Sequence, residues 1–356
     1  MEIKSHVGRL PYFVFAVFLS VLLTNCSSTK IAIDVMRPPV APMSESVESI
    51  ALINRVGLSD AQTIQYVNGQ VVAQFNGVTD VLIKESFIKM KERFSADQIF
   101  VAFDTTLNFI PKNGKFNGAD MPPQIVKKAC LILGVDALVV VEAYTADLDT
   151  DNEVNYSTPV DRLYGTVRVP YFDGEQSVDM QMLIKSYLCS DAKGYLDEET
   201  LVGTQISMSA SGSTPYEVRS RMAGAGSILI QASHRIGADY AERIGPYSER
   251  DSRKIYTAGN DQMAEAYRYV DLGSWREAAD IWHLLATSNN AKLASHASYN
   301  LILANEVFGD YKQAQEWASI CISKYQMKDA EQYQSVLNQR VNEMNEIKRL
   351  FPTLIY

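Results

Sequence analysis

Leu133-Gly134-Val135-Asp136-Ala137-Leu138-Val139-Val140-Val141 decides the fold class. Gly134 suits the left-handed position just past a helix end. The unbroken apolar run from Ala137 to Val141 then describes a strand covered on both faces, because a half-exposed strand would alternate instead. Upstream, Asp120 is expected to cap a helix with Pro122 and Pro123 in its first turn and Ile125, Val126, Ala129, Cys130 and Leu133 as its buried stripe. Earlier still, Ser49 to Arg55 reads as a short apolar strand. Ile83, Phe87, Met90 and Phe94 mark a helix near 79–94, and a strand covers about 99–103. Alternating strands and helices of this kind define an α/β unit. Downstream the pattern turns antiparallel. Val178, Met180, Met182 and Ile184 alternate with polar residues, Asp191-Ala192-Lys193-Gly194 is a turn, and a partner strand spans about Leu201 to Ser209. One long helix is expected through Val218, Met222, Ala225, Leu229, Ala232 and Ile236. Gly224 and Gly226 inside it suggest close approach to a neighbour. They do not read as a phosphate loop, since no strand precedes them and the glycine fingerprint is incomplete. The expected fold is an α/β domain, a mixed sheet with helices, over residues 49–250.

From 251 to 356 the periodicity is helical. Gly273-Ser274-Trp275-Arg276-Glu277-Ala278 returns 36 positions later as Gly309-Asp310-Tyr311-Lys312-Gln313-Ala314. Tyr267 and Tyr269 precede one copy and Tyr299 the other, and Trp282 or Trp317 follows. A Gly turn, an aromatic two residues on and an Ala three later resemble the tetratricopeptide repeat, here without its terminal Pro and with Leu285 or Cys321 at the second Ala position. The resemblance implies two helical hairpins over about 255–325. A final helix from about Asp329 to Leu350 caps the stack with a polar face.

At the other end, Lys4 and Arg9 precede an apolar run from Tyr12 to Leu23. A run of about a dozen residues with a positive flank is a signal peptide, since a membrane span needs about 20. Leu23-Thr24-Asn25-Cys26 resembles the lipobox of bacterial lipoproteins, with Asn25 where a smaller residue is usual. The resemblance implies cleavage after residue 25, acylation of Cys26 and attachment to a lipid bilayer. Residues 26–48 then read as a tether, with one short strand at Ile31, Ile33 and Val35, stopped by Pro38, Pro39 and Pro42. Ser27 and Ser28 are not the Asp that retains some lipoproteins in the inner membrane, and no acidic run follows Cys26. By the same resemblance, the expected location is an outer-membrane anchor on the periplasmic face.

The chain carries a formal charge of −9; loss of residues 1–25 removes two cations and one anion and leaves −10. An acidic chain without basic clusters argues against nucleic-acid binding, whose affinity comes mainly from phosphate neutralisation. The four histidines are His6, His234, His283 and His296, and no H-E-x-x-H, C-x-x-C, Walker or G-x-S-x-G motif occurs. No cofactor is therefore expected. His283 and His296 flank a turn without a third ligand and read as helix-surface packing. Ser190-x-x-Lys193 falls in a turn whose residues need no catalytic reason. Asp147-x-Asp149-x-Asp151 matches the first three ligand positions of a calcium loop, but Asn152 takes the place of the essential Gly and Thr158 that of the bidentate Glu. A solvated acidic loop is the expectation, with weak calcium binding, completed by Glu153, as the alternative. Trp275, Trp282, Tyr299, Tyr311 and Trp317 either line a partner-binding groove or form the core within the repeats. Cys130, Cys189 and Cys321 read as small buried thiols, although an exported compartment permits a disulfide.

Residues 49–245 resemble the α/β domain of envelope lipoproteins such as the curli-secretion pore subunit and the outer-membrane activators of peptidoglycan synthases. The similarity lies in Ile50-Ala51-Leu52-Ile53, in Leu133 to Val140, and in the hairpin from Leu183 to Gly194. Together with the lipobox, Arg37-Pro38-Pro39, Asn54-Arg55 and the trailing repeats, the layout resembles a bacterial lipoprotein family without an assigned activity. The resemblance implies a fold and an envelope location but no catalytic residues. Asp179, Lys185 and Gln205 make the later strands read as ordinary sheet, which argues against a pore. The expected function is a non-enzymatic lipoprotein that binds an envelope protein. The alternative is a hydrolase or carbohydrate-processing enzyme whose carboxylates meet only in space.

Overall fold

The computed structural model describes residues 28–43, 47–57, 62–75, 77–96, 100–105, 107–112, 120–161, 163–190 and 194–352. Its strands are β1 (Ser28–Arg37), β2 (Ser49–Asn54), β3 (Gln62–Val67), β4 (Gln70–Phe75), β5 (Val101–Thr105), β6 (Ala137–Ser157), β7 (Val160–Asp161), β8 (Gly165–Thr166), β9 (Val169–Leu188), β10 (Gly194–Gly212) and β11 (Tyr247–Tyr256). Its helices are α1 (Thr79–Ala96), α2 (Pro123–Leu133), α3 (Pro215–Arg221), α4 (Ala225–Ile244), α5 (Asp261–Asp271), α6 (Trp275–Ala286), α7 (Ala291–Val307), α8 (Tyr311–Tyr325) and α9 (Lys328–Leu350). An α/β region is thus followed by an all-helical one. Two compact units result: Pro38–Tyr247 with the segment from Ile347, and Ser248–Glu346 with the segment up to Arg37. Cys26 lies outside the described residues.

The α/β unit is built on a mixed sheet ordered β10-β9-β6-β2-β5, with β3 beside β6 and β4 beyond β3. β2 runs parallel to β5 and β6, whereas β9 runs antiparallel to its neighbours β6 and β10. Ile50 to Ile53 and Ala137 to Val141 are buried throughout, as consecutive apolar residues demand. Alternation sends Ala51, Ile53, Leu138 and Val140 to the face covered by α2. The opposite face meets α4, which packs on α1. Gly237 of α4 is the close approach there: a Cβ would lie 2.2 Å from the Ser86 carbonyl oxygen of α1. Gly224 and Gly226, which the sequence offered for that role, face open space.

β6 first pairs with β2 and then, beyond a bulge at Glu142, with β3. Glu142 is fully buried in the gap between those partners. Its carboxylate accepts from Arg55 Nη1 at 2.8 and 2.9 Å and from the Tyr187 hydroxyl at 3.0 Å. Burial, then the Glu142 charge, pushes the Tyr187 phenol above its ordinary range. Asp120, expected as a helix cap, instead receives Lys185 Nζ at 2.7 Å; Pro122 is the N-cap of α2 and lacks a side-chain hydrogen bond. Gly134 closes α2 in the left-handed conformation at φ 64°, as its position in the sequence suggested.

Two of the three cysteines expected as thiols are bridged. The sheet register sets Leu188 opposite Ala137, three residues past Gly134, and Cys189 donates its amide to the Asp136 carbonyl. That placement brings Cys189 to the end of α2, where it joins Cys130 with Cα atoms 5.8 Å apart. Cys321 remains a free, buried thiol whose pKa burial pushes up to about 12.

The strands expected near 178–189 and 201–209 are far longer. β6, β9 and β10 span 21, 20 and 19 residues. Their distal half has little apolar alternation to announce it, because Asp151 to Val154 and Tyr156 are solvent-exposed. The single helix expected from 218 to 236 is two. Met222 is extended at φ −82°, ψ 146°, and α4 restarts after Gly224.

In the helical unit, Gly273 and Gly309 hold matching positive φ values of 76° and 74°, so both hairpins turn alike. Ala278 and Ala314 are fully buried. The boundary expected at 250/251 falls inside β11, which pairs with β1. The short strand expected at Ile31, Ile33 and Val35 is thus β1, longer than expected and paired into the helical unit. Arg37 at its end binds Glu249, Asp251 and Glu343 at 2.8 to 2.9 Å. Arg340 Nη1 donates to the Met36 carbonyl at 2.7 Å and also contacts Glu343. Deeper, Arg253 pairs with Glu306 at 2.8 Å, and the Tyr333 hydroxyl donates to Glu306 at 2.6 Å. Burial opposes the Arg253 charge, but Glu306 outweighs it and raises the guanidinium pKa.

Candidate functional site

Trp282 and Tyr299 are core residues at 0% and 4% exposure, and Trp275, Tyr311 and Trp317 pack against the same cluster. Of the two readings of this aromatic set, Trp282 and Tyr299 follow the core one, whereas Trp275, Tyr311 and Trp317 are half-buried at its edge. The histidines are separate: His283 touches Trp317, whereas His296 stacks on Tyr256 at 4.0 Å between ring centroids. Burial lowers the His296 pKa below 6.5.

Asp147, Asp149 and Asp151 do not lie on a loop. They occupy alternate positions of β6, opposite Asp179, Ser177 and Glu175. A straight strand cannot wrap three carboxylates around one ion, and no metal-holding cluster exists among the described residues. Burial, then the Asp179 charge, raises the Asp147 pKa. Lys193, of the Ser190-x-x-Lys193 spacing read as an ordinary turn, lies outside the described residues.

The strongest candidate site was not read from the sequence. A cavity of about 930 Å³ opens between the β3–β6–β9 ribbon and the α3–α4 junction. Strand register builds its floor. Val67 pairs with Thr150, and Asn152 sits opposite Gly174, on the face toward α3. Gly174 permits that packing, because a Cβ there would meet Val218 Cγ1 at 2.6 Å. Gln65, Thr150, Asn152 and Gln176 bring two kinds of polar group, amides and a hydroxyl; Val67, Val154, Phe172, Tyr216, Val218 and Met222 supply apolar wall.

Two features leave this cavity short of partners. Gln176 is 6% exposed and spends its amide nitrogen on Thr150 Oγ1 at 3.5 Å, while its Oε1 is buried without a hydrogen bond. Gly224 and Ala225 bring the start of α4 into the lining, and that helix has neither a side-chain cap nor an acidic residue in its first turn. The first amides of any helix have no intrahelical acceptor and carry the positive end of its dipole. Arg219 stands exposed at the border. Glu153 and Asp173 also border the cavity, opposite one another on the alternate register, and Asp173 accepts from Asn155 Nδ2 at 2.7 Å. The only sequence signals for this site were Gly174 and the Gly224-Ala225-Gly226 break.

A family model described as a domain of unknown function (DUF8603) matches residues 47–256. A second, described as a domain of unknown function (DUF6340), matches 264–346. No curated protein matches the chain. Among solved structures, a Helicobacter pylori protein provisionally described as a neuraminyllactose-binding hemagglutinin homolog matches at 10% identity and a TM-score of 0.24, over 65% of this chain and 94% of that one. A likeness of that strength transfers neither fold detail nor ligand.

Proposed function

The chain belongs to the DUF8603 family, and on that premise, with no activity to inherit, we propose that it is a non-enzymatic lipoprotein of the bacterial envelope that binds another envelope protein. Cys26 is its lipid anchor, and the cavity under α3 is its binding site. The observation that carries the reading is Gln176 Oε1, a buried acceptor left without a donor on the floor of that cavity. Such a group costs about 1–3 kcal/mol when unmet, a cost that a bound donor removes. The Cys130–Cys189 bridge supports export, because disulfides persist in oxidising compartments. The position of β1 supports an anchor close to folded protein. Ser28 follows Cys26 by two positions, roughly 7 Å of extended chain.

Palmitate labelling and fractionation test the anchor: Cys26→Ser abolishes the label and moves the protein to the soluble fraction. Cross-linked capture from envelope extract tests the site. The intact protein retains a reproducible partner that Ala223→Trp, which fills the cavity border, loses. Loss of the label with retention of the partner would overturn the anchor alone. The hydrolase alternative rests on Glu153 and Asp173. It requires that Glu153→Gln abolish a turnover measurable on a glycoside or ester substrate.

A further inference from the structure

We infer that the cavity receives the free C-terminus of a partner polypeptide, with the terminal carboxylate at the start of α4. This rests on the binding-protein reading above and names what is bound.

Three features of the lining define the ligand. The start of α4, where Gly224 and Ala225 line the cavity, offers amide donors and a positive dipole end to an anion. Gln176 Oε1 offers the reverse, an acceptor that calls for an N–H or O–H on the ligand. Val67, Val154, Phe172, Val218 and Met222 offer apolar surface that calls for a hydrocarbon group. A carboxylate, a nearby backbone N–H and an apolar side chain occur together at the end of every polypeptide with an apolar last residue. Capture of a terminal carboxylate by backbone amides is a recurring mode of peptide recognition. A fatty acid supplies the anion and the hydrocarbon but no donor for Gln176. An acidic sugar supplies anion and donors, yet no hydrocarbon group for Val67, Val154, Val218 and Met222. The volume of about 930 Å³ falls within the roughly 300–1,000 Å³ usual for ligand cavities and takes a short peptide end. Arg219 at the border adds attraction for the carboxylate, and Glu153 and Asp173 stand on the opposite register of the ribbon.

The test is calorimetric titration of the full mature chain carrying Cys26→Ser. The probes are a pool of N-acetyl tripeptides ending in Val, Leu or Phe, the same pool as C-terminal amides, and glucuronate. Binding of the acid pool, with the amide pool at least tenfold weaker, is expected. Gln176→Met, which keeps chain length and removes the acceptor, should weaken the acid pool at least tenfold; Arg219→Ala should weaken it several-fold. If Gln176→Met loses its circular dichroism spectrum, Ala223→Trp serves in its place and should abolish binding. Equal binding of acid and amide pools overturns the α4 assignment, tighter binding of glucuronate overturns the peptide, and no binding of any probe at millimolar concentration overturns the inference. A partner captured from extract through the cavity but indifferent to these peptides would leave the binding-protein reading standing and sink only its C-terminal form.

Discussion

Gly237→Ala is expected to destabilise the α/β unit even though Ala is the better helix former. A Cβ at this position would stand 2.2 Å from the Ser86 carbonyl oxygen and 2.9 and 3.0 Å from its carbonyl carbon and Cα. Those atoms are backbone, so no rotamer relieves the clash, and α1 and α4 must separate by about 1 Å to reach ordinary contact distance. Replacing a helical Gly by Ala otherwise gains about 1 kcal/mol. Forcing extra volume into a packed interface costs about 1–3 kcal/mol, and here the loss extends along two long helices. A backbone clash places the cost in the upper part of that range, about 2–3 kcal/mol, so the net effect is a loss of about 1–2 kcal/mol. Gly226→Ala is the control: nothing lies within 4 Å of its Cβ, so only the helix-propensity gain remains. All three tryptophans, Trp275, Trp282 and Trp317, lie in the helical unit. Urea unfolding followed by tryptophan fluorescence therefore reports that unit, and far-ultraviolet circular dichroism reports both. The prediction is a dichroism-detected transition at lower urea for Gly237→Ala with the fluorescence transition unmoved. A variant as stable as the parent, or more so, would refute the close approach of α1 to α4.

Further outcomes follow from other elements. The Cys130–Cys189 bridge closes a loop of 59 residues' separation, for which chain entropy gives about 4 kcal/mol, so reduction should lower the urea midpoint of the α/β unit by the equivalent of about 2–4 kcal/mol. Thiol titration of the unfolded mature protein should find one free thiol from Cys321 beside that bridge, and three would contradict it. Burial depresses the His296 pKa, so the unfolded chain binds its proton first; stability should fall as pH drops from about 6.5 toward the folded value, and His296→Phe should flatten that slope. Arg37→Ala removes one partner from Glu249, Asp251 and Glu343, although Asp251 keeps Arg253 and Glu343 keeps Arg340, and should cost the helical unit about 1 kcal/mol, with earlier protease cleavage within β1. Equal cleavage of variant and parent would show that Arg37 does not fasten the strand.

The layered fold was legible where burial writes itself into the sequence. Ala137 to Val141 announced a doubly covered strand, Gly134 a helix end, and Gly273 and Gly309 two matching turns. Pairing of distant strands was not legible. Nothing local tells Ser28–Arg37 that it will pair with Tyr247–Tyr256, so Ile31, Ile33 and Val35 announced a strand but not its partner, and the exposed half of the ribbon lacks the alternation that marks a strand. The disulfide was hidden for the same reason, since only the register of β6 with β9 brings residues 130 and 189 together. The cavity depended on a helix break at Met222, where residues 218, 222, 225 and 229 keep a helical spacing although the backbone leaves the helix. The aromatic set stayed ambiguous because the same spacing serves a groove and a core, and the volume of Trp282 and Tyr299 is better satisfied between helices.

The central claim is that the cavity under α3 is where a partner binds. A photoreactive benzoylphenylalanine at Met222, which lines the cavity, compared with one at Leu284, exposed on α6, tests it in the membrane-anchored protein within intact envelopes. The account predicts a discrete adduct from position 222 whose cross-linked peptide maps to the C-terminal end of a partner protein, and none from position 284. No adduct at 222, or the same adduct from both positions, would contradict it.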